Sequence, residues 1–279
     1  MGEKTEINEY LSRIGIRKIT ELDTALFESF GVDEGRRHIE RLTELFEFSE
    51  ERLLYGTGDT AYLHRQEELV DYLNQSLQMS LLAASFYDRV FFRRTMEYLL
   101  GYDSFWQGDI FDIGCGNGIL TCFLALQHPD SFVTGLDLSQ NAVSVAEEFA
   151  GKLQIGNVHF SCPRRLPHRE CDTLFSCRTV HENVAWRALS EEYKKAALTV
   201  EDQEKQHRMY AQELSSLVKP RGYLVSVERY DDNAAYAGLV RALRRLGFSQ
   251  VKGTHMQFSC KNGDETATFQ ATIFQKAEG

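Results

Sequence analysis

The 279-residue sequence predicts an α/β fold: a mostly parallel sheet flanked by helices, finished by a C-terminal antiparallel hairpin and preceded by an N-terminal helical cap. Three observations predict it. From Asp109 onward short apolar runs alternate with helical ones, the pattern of β-α-β units. Across Phe111 to Leu120 a short apolar strand runs into a glycine-dense turn and then an apolar helix start. Near the C-terminus, Gln250 to Ser259 and Thr266 to Gln275 read as two strands joined through Lys261-Asn262-Gly263-Asp264, and Asn-Gly is a strong hairpin signal.

Taken in order, residues 1–100 read as helical, with charge spread along them and no proline before Pro129. Asp33 to Leu54 carries Ile39, Leu42, Leu45, Phe46 and Phe48 at helical spacing. Gly56-Thr57-Gly58-Asp59-Thr60 breaks the pattern, and a longer helical run follows in which Leu69, Leu73, Leu77 and Leu81 share one face. Aromatic residues here, among them Tyr55, Tyr62, Tyr72, Phe86, Tyr87, Phe91 and Phe92, fit either a core or a substrate pocket. The α/β domain then occupies 101–279. Strands are expected near 109–113, 131–136, 157–161, 172–177 and 222–227, with helices near 118–127, 139–151, 199–217 and 233–246.

Bulk numbers exclude several classes. A net charge of −10 argues against a general grip on nucleic-acid phosphates, which rests on clustered Lys and Arg. The small basic knot of Arg164, Arg165, His168 and Arg169 reads as a solvated loop. No apolar run approaches the length needed to span a bilayer, and Met1 to Glu6 lacks the apolar core of a signal peptide, so the expectation is a cytoplasmic protein without a membrane partner. The six cysteines (115, 122, 162, 171, 177 and 260) have no paired short spacings, which suits free thiols. His159, Cys162, His168, Cys171 and Cys177 make no C-x-x-C or H-x-x-x-H pair, so no metal is expected.

The glycine turn carries the chemistry. Three glycines at alternate positions permit φ > 0 and leave no Cβ between the turn and a ligand, so amides at the helix start can face polar groups. The dinucleotide fingerprint G-x-G-x-x-G would need its third glycine at Ile119. The pattern is instead Asp112-x-Gly114-x-Gly116-x-Gly118, and the next strand, Phe132 to Leu136, ends on Asp137. Leu166-Pro167 precedes Cys171-Asp172-Thr173-Leu174-Phe175, and Leu217-Val218-Lys219-Pro220-Arg221-Gly222-Tyr223-Leu224-Val225 leads into the fifth strand. This order resembles the class I S-adenosylmethionine (SAM) methyltransferase family over roughly residues 105–275. The resemblance implies a Rossmann-like, seven-stranded sheet with SAM as cofactor.

It also implies that the turn passes under the methionyl and ribose parts while Asp137 accepts the ribose hydroxyls. Near the adenine, where the family usually has an acid, this chain has Ser161-Cys162-Pro163. The helix before the first strand often closes over SAM in that family, which brings in Tyr87 and Arg93. The implied cofactor contacts are Tyr87, Arg93, Asp112, Gly114, Cys115, Gly116, Gly118, Asp137, Leu138, Cys162 and Arg178.

Ligands of open α/β sheets lie beyond the carboxyl ends of the strands. The fourth strand leads into Ser176-Cys177-Arg178-Thr179-Val180-His181-Glu182-Asn183. His181-Glu182 resembles the His-Asp of plant-type small-molecule O-methyltransferases, in which the histidine is the general base and a glutamate after the fifth strand orients it. Glu228 stands at the matching place, so the catalytic set is His181, Glu182 and Glu228. A winged-helix dimerisation pattern is missing, so the substrate is not borrowed from those enzymes. Residues 186–206, with Trp186 and Tyr193, read as an insertion that is either a lid or a solvated helix.

The leading expectation is O-methyl transfer to a hydroxyl or carboxylate of a small molecule or short peptide. Alternatives are an N-methyltransferase, a SAM-binding partner protein without transfer, and a nicotinamide oxidoreductase, which Ile119 disfavours. The N-terminal helices would serve a homodimer.

Overall fold

The computed structural model describes residues 3–55, 60–180, 199–230, 233–262 and 265–278. Six helices come first: α1 (Glu3–Arg13), α2 (Leu22–Phe30), α3 (Val32–Tyr55), α4 (Thr60–Leu73), α5 (Leu77–Ala83) and, after a π-helical turn at Ala84–Asp88, α6 (Arg89–Gly101). The strands are β1 (Asp109–Ile113), β2 (Phe132–Leu136), β3 (Val158–Ser161), β4 (Cys171–Cys177), β5 (Val218–Arg229), β6 (Phe248–Gln250), β7 (Met256–Asn262) and β8 (Glu265–Lys276). Between them lie α7 (Ile119–Gln127), α8 (Gln140–Leu153), α9 (Val200–Leu217) and α10 (Asn233–Arg245).

The sheet order is β3-β2-β1-β4-β5-β8-β6, with β7 also on β8. The first five strands are parallel, and β8 runs antiparallel to β5. Among the described residues, eight strands therefore stand where seven were expected. The extra one arises because β6 and β7 share a single sheet position: β6 pairs with Phe274–Lys276 and β7 with Glu265–Ala271. Gly253, at φ 82, turns the chain between them, and the Thr254 hydroxyl donates to the Val251 carbonyl and accepts from the Ile273 amide.

Strand periodicity sorts side chains into two cores. Ile110, Val133, Phe175, Val225 and Ile273 face a core shared with α1, α6, α7 and α8. Their neighbours Phe111, Leu136, Leu174, Leu224 and Phe274 face α9 and α10. This is the alternation that a sheet covered on both faces requires. A third cluster, Ala25, Leu26, Leu42, Leu45, Leu69, Met79 and Leu82, holds α2 to α5 together.

The N-terminal hundred residues thus divide. α1 docks on the sheet domain, its Tyr10 hydroxyl donating 2.7 Å to the Ile119 carbonyl and its ring packing 5.1 Å from Phe123, whereas α2 to α5 carry a core of their own. The run expected to be one helix through Leu69, Leu73, Leu77 and Leu81 is two. Ser76 caps α5 by accepting from the Met79 amide, and Asn74 Nδ2 folds back onto the Val70 carbonyl. Among the described residues no helix is long and apolar enough to cross a membrane. All six cysteines are free thiols.

Candidate active site

β1 ends in a turn whose three glycines all take φ > 0: Gly114 at 70, Gly116 at 53 and Gly118 at 75. Their reasons differ. A Cβ on Gly114 would stand 2.3 Å from Thr179 Cγ2, and one on Gly118 would meet Ala146 and the Phe160 ring. Among the described residues, nothing lies within 4 Å of that position at Gly116. Two of the glycines permit packing, and the third faces open space.

Asp137 borders that space. Its carboxylate accepts from the Gly116 amide at 2.8 Å and the Ser139 amide at 2.9 Å, which fixes the end of β2 against the turn. Burial pushes its pKa up, the amides of Ser139, Gly116 and Leu138 pull it down, and nearby Asp71 adds a smaller upward push. Leu138 is 84% exposed, an apolar side chain on the rim next to the acid. Cys162 Sγ donates to the Leu138 carbonyl at 3.3 Å, tying the end of β3 to the end of β2. Beneath the turn, Asp112 is buried and accepts 2.6 Å from Thr121 Oγ1 of α7; burial raises its pKa to about 7.

The structure gathers Asp112, Gly114, Cys115, Gly116, Gly118, Asp137, Leu138 and Cys162 around one place. Tyr87 and Arg93 have other neighbours in the structure. Tyr87 packs on Phe46 and Phe86 at 5.6 and 4.8 Å, in a cleft of about 260 Å³ shared with Leu22, Asp23, Leu26, Ile39, Leu42 and Thr43. Arg93 is exposed on α6, its Nε 3.9 Å from Glu97. Arg178 takes a left-handed φ of 61, reaches Asp88 at 2.8 Å and lies over the Phe91 ring.

His181, Glu182, Trp186 and Tyr193 lie outside the described residues, as does the insertion up to residue 198. Residues 199–206 form the start of α9, where Thr199 and Asp202 make a capping box. The residue before His181 is held firmly. Glu228, fully buried at the end of β5, accepts from the Ser176 hydroxyl at 2.7 Å and from the Val180 amide at 3.0 Å. Ser176 and Tyr210 both reach Thr179 Oγ1 at 2.7 Å, and Thr179 is the residue against which Gly114 packs. One buried polar network therefore joins the glycine turn, the end of β4, the end of β5 and α9.

Sequence reasoning missed the contacts from α4 and α5. Ser139 Oγ donates 2.6 Å to Asp71, Asn141 Nδ2 reaches the Asp71 carbonyl, and Asn117 of the glycine turn donates to Ser80, which donates to Asn74. The one signal was the polar break Asn74-Gln75-Ser76. Nothing in the spacing marked Asp71, Ser80 or Tyr210.

These residues fit SAM: an approach left open at Gly116, a strand-end carboxylate for paired hydroxyls, and an apolar rim at Leu138. The family described as Methyltransferase domain matches residues 107–262, more than half of the chain. Among curated proteins, the release factor glutamine methyltransferase of Vibrio cholerae is 32% identical over 85 residues, 30% of this chain and 30% of that protein. Malonyl-acyl-carrier-protein O-methyltransferase of Acetivibrio thermocellus is 34% identical over 68 residues, 24% of this chain and 23% of that one. The chain thus matches less than a third of the length of either relative.

Among solved structures, magnesium protoporphyrin IX methyltransferase of Synechocystis, with bound SAM, aligns over 93% of this chain and 99% of its own at 17% identity and TM-score 0.47. A SAM-dependent methyltransferase of Aquifex aeolicus aligns over 68% and 92% at 17% identity and TM-score 0.41. The family match spans the glycine turn, Asp137 and the ends of β4 and β5, and by it the chain belongs to the class I SAM-dependent methyltransferases.

Proposed function

We propose that this chain transfers a methyl group from SAM to an oxygen of a small molecule or short peptide, with His181 as base or acceptor-positioning residue, and that it does so in the cytoplasm. The observation that carries the reading is the anchoring of Val180 by Glu228, because it fixes the backbone immediately before His181 beside the glycine turn. Bound SAM supplies a methyl made electrophilic by a positively charged sulfur. The residues of the chain then have two tasks: Asp137 and the turn hold the cofactor, and the β4 and β5 ends hold an acceptor about 3 Å from the methyl, in line with the leaving group.

A hydroxyl acceptor must lose a proton, and an imidazole with an ordinary pKa of about 6.5 takes it near neutral pH. A carboxylate acceptor needs no base but does need a cation. Arg178, the cation at the end of β4, is already paired with Asp88 and stacked on Phe91, which favours the hydroxyl. An amine acceptor would draw on Glu182 and Glu228. Glu228 is fully buried and holds Ser176 and Val180 in place, which weighs against that use.

The test is calorimetric titration with S-adenosylhomocysteine, beside Asp137→Ala and an NADH control, followed by transfer assays on paired hydroxyl and carboxyl acceptors. Binding lost in Asp137→Ala, and transfer to hydroxyls lost in His181→Ala, are the expected results. A folded chain that binds NADH and not S-adenosylhomocysteine would overturn the proposal.

A further inference from the structure

The face of the sheet that meets α9 and α10 changes character along the strands. It is apolar at Leu174, Leu224 and Phe274, and polar toward the carboxyl ends of β4 and β5, where Ser176, Ser226, Glu228, Thr272 and Gln270 are all buried. Most of these groups are paired. Ser176 serves Glu228, Thr272 Oγ1 meets the Tyr236 hydroxyl at 2.6 Å, and Gln270 meets His255 at 2.8 Å. Tyr230, the residue after β5, breaks the pattern: it is 5% exposed, and among the described residues its hydroxyl has no hydrogen-bond partner.

Its backbone is not loose, since the Tyr230 amide donates to the Thr268 carbonyl at 3.1 Å. Tyr236 stands edge-on to its ring at 5.9 Å, and the His207 ring of α9 lies 6.2 Å away on a tilted plane. His207 is 1% exposed, and its Nδ1 is 2.6 Å from the Gln203 carbonyl. A carbonyl only accepts, so the proton is on Nδ1 and Nε2 keeps its lone pair in the neutral ring. Burial lowers the His207 pKa and keeps that form at neutral pH. Three residues along the same face of α9, Tyr210 holds Thr179 against the glycine turn, so His207 and Tyr230 stand about one helical turn from that contact.

A buried phenol without a partner costs stability, and here the group stands beside an imidazole nitrogen with a lone pair to offer. We infer that Tyr230 and His207 form a donor–acceptor pair that holds a hydroxyl of the methyl acceptor, a subsite selective for alcohols and phenols over carboxylates. A hydroxyl takes the hydrogen bond of the Tyr230 O–H and gives its own to His207 Nε2. A carboxylate has no proton to give, and it would set a negative oxygen against the lone pair of His207. The inference rests on the methyltransferase reading and narrows its acceptor.

The test compares the full-length wild type with Tyr230→Phe. The thermal midpoint of the variant is expected to equal or exceed that of the wild type, with S-adenosylhomocysteine affinity unchanged. A lower midpoint would mean that the fold itself satisfies the hydroxyl, and the inference would fall. The second readout is 15N NMR of the histidine rings in the S-adenosylhomocysteine complex, with phenol and benzoate as probes. Phenol is expected to shift the His207 Nε2 resonance, and to shift it less in Tyr230→Phe; an equal shift by benzoate, or no shift by either probe, overturns the subsite. Failure of a folded wild type to bind S-adenosylhomocysteine would instead remove the methyltransferase reading, and the midpoint comparison would still judge the pair.

Discussion

Asp112 and the three glycines show how one short sequence divides structural from binding duties. Asp112 has its pKa raised by burial to about 7, against an ordinary value near 3.8. Between those values the folded chain holds a proton that the unfolded chain has released, so this residue lowers stability as pH rises from about 4 to about 7. The full effect is at most about 4–5 kcal/mol, taking roughly 1.4 kcal/mol per pKa unit. His38, His128 and His207 act oppositely: burial lowers their pKa values, and their contribution is lost as pH falls through the ordinary histidine range. The difference between wild type and Asp112→Asn isolates the aspartate; denaturant titrations at pH 5 and pH 8 should show the variant gaining on the wild type at pH 8. Gly114→Ala, whose new Cβ meets Thr179, should cost about 1–3 kcal/mol in the same titrations. Gly116→Ala has space for its Cβ and a left-handed φ that costs about 1 kcal/mol, so its larger loss should be S-adenosylhomocysteine affinity, about tenfold by calorimetry.

Between elements, the contacts that matter join α4 and α5 to the cofactor turn. Removing the Asn74–Ser80–Asn117 relay with Ser80→Ala should speed dissociation of S-adenosylhomocysteine severalfold in stopped-flow measurements, with little change in unfolding midpoint. If the release rate is unchanged, α4 and α5 do not restrain the cofactor. These contacts also mark where the sequence stopped being informative. The glycine turn, Asp137 and the β-α alternation were readable because each depends on local backbone chemistry and short spacing. The π-helical turn at Ala84–Asp88 and the division of β6 from β7 were not, because long-range pairs make them: Asp88 with Arg178, and Thr254 with Ile273. Tyr87 and Arg93 were read from resemblance, and the spacing did not mark the neighbours they have here, Phe46 for Tyr87 and Glu97 for Arg93.

For the molecule as a whole, the two sheet cores and the separate α2–α5 cluster set a hierarchy of opening. The α2–α5 core is small, so its amides should exchange with deuterium well before those of β1, β4 and β5, and S-adenosylhomocysteine should slow α4 and α5 more than α10. Uniform exchange across the helices would argue that the chain opens as one unit. The position of β8 adds a constraint on synthesis. It follows β6 and β7 in the chain yet lies between them and β5, so neither has its neighbour when it leaves the ribosome. Until β8 inserts, the Val225 and Val227 edge of β5 is an open template for another nascent chain. Translation speed across residues 248–276, and chaperone access during it, should therefore decide how much of this protein a cell recovers in folded form.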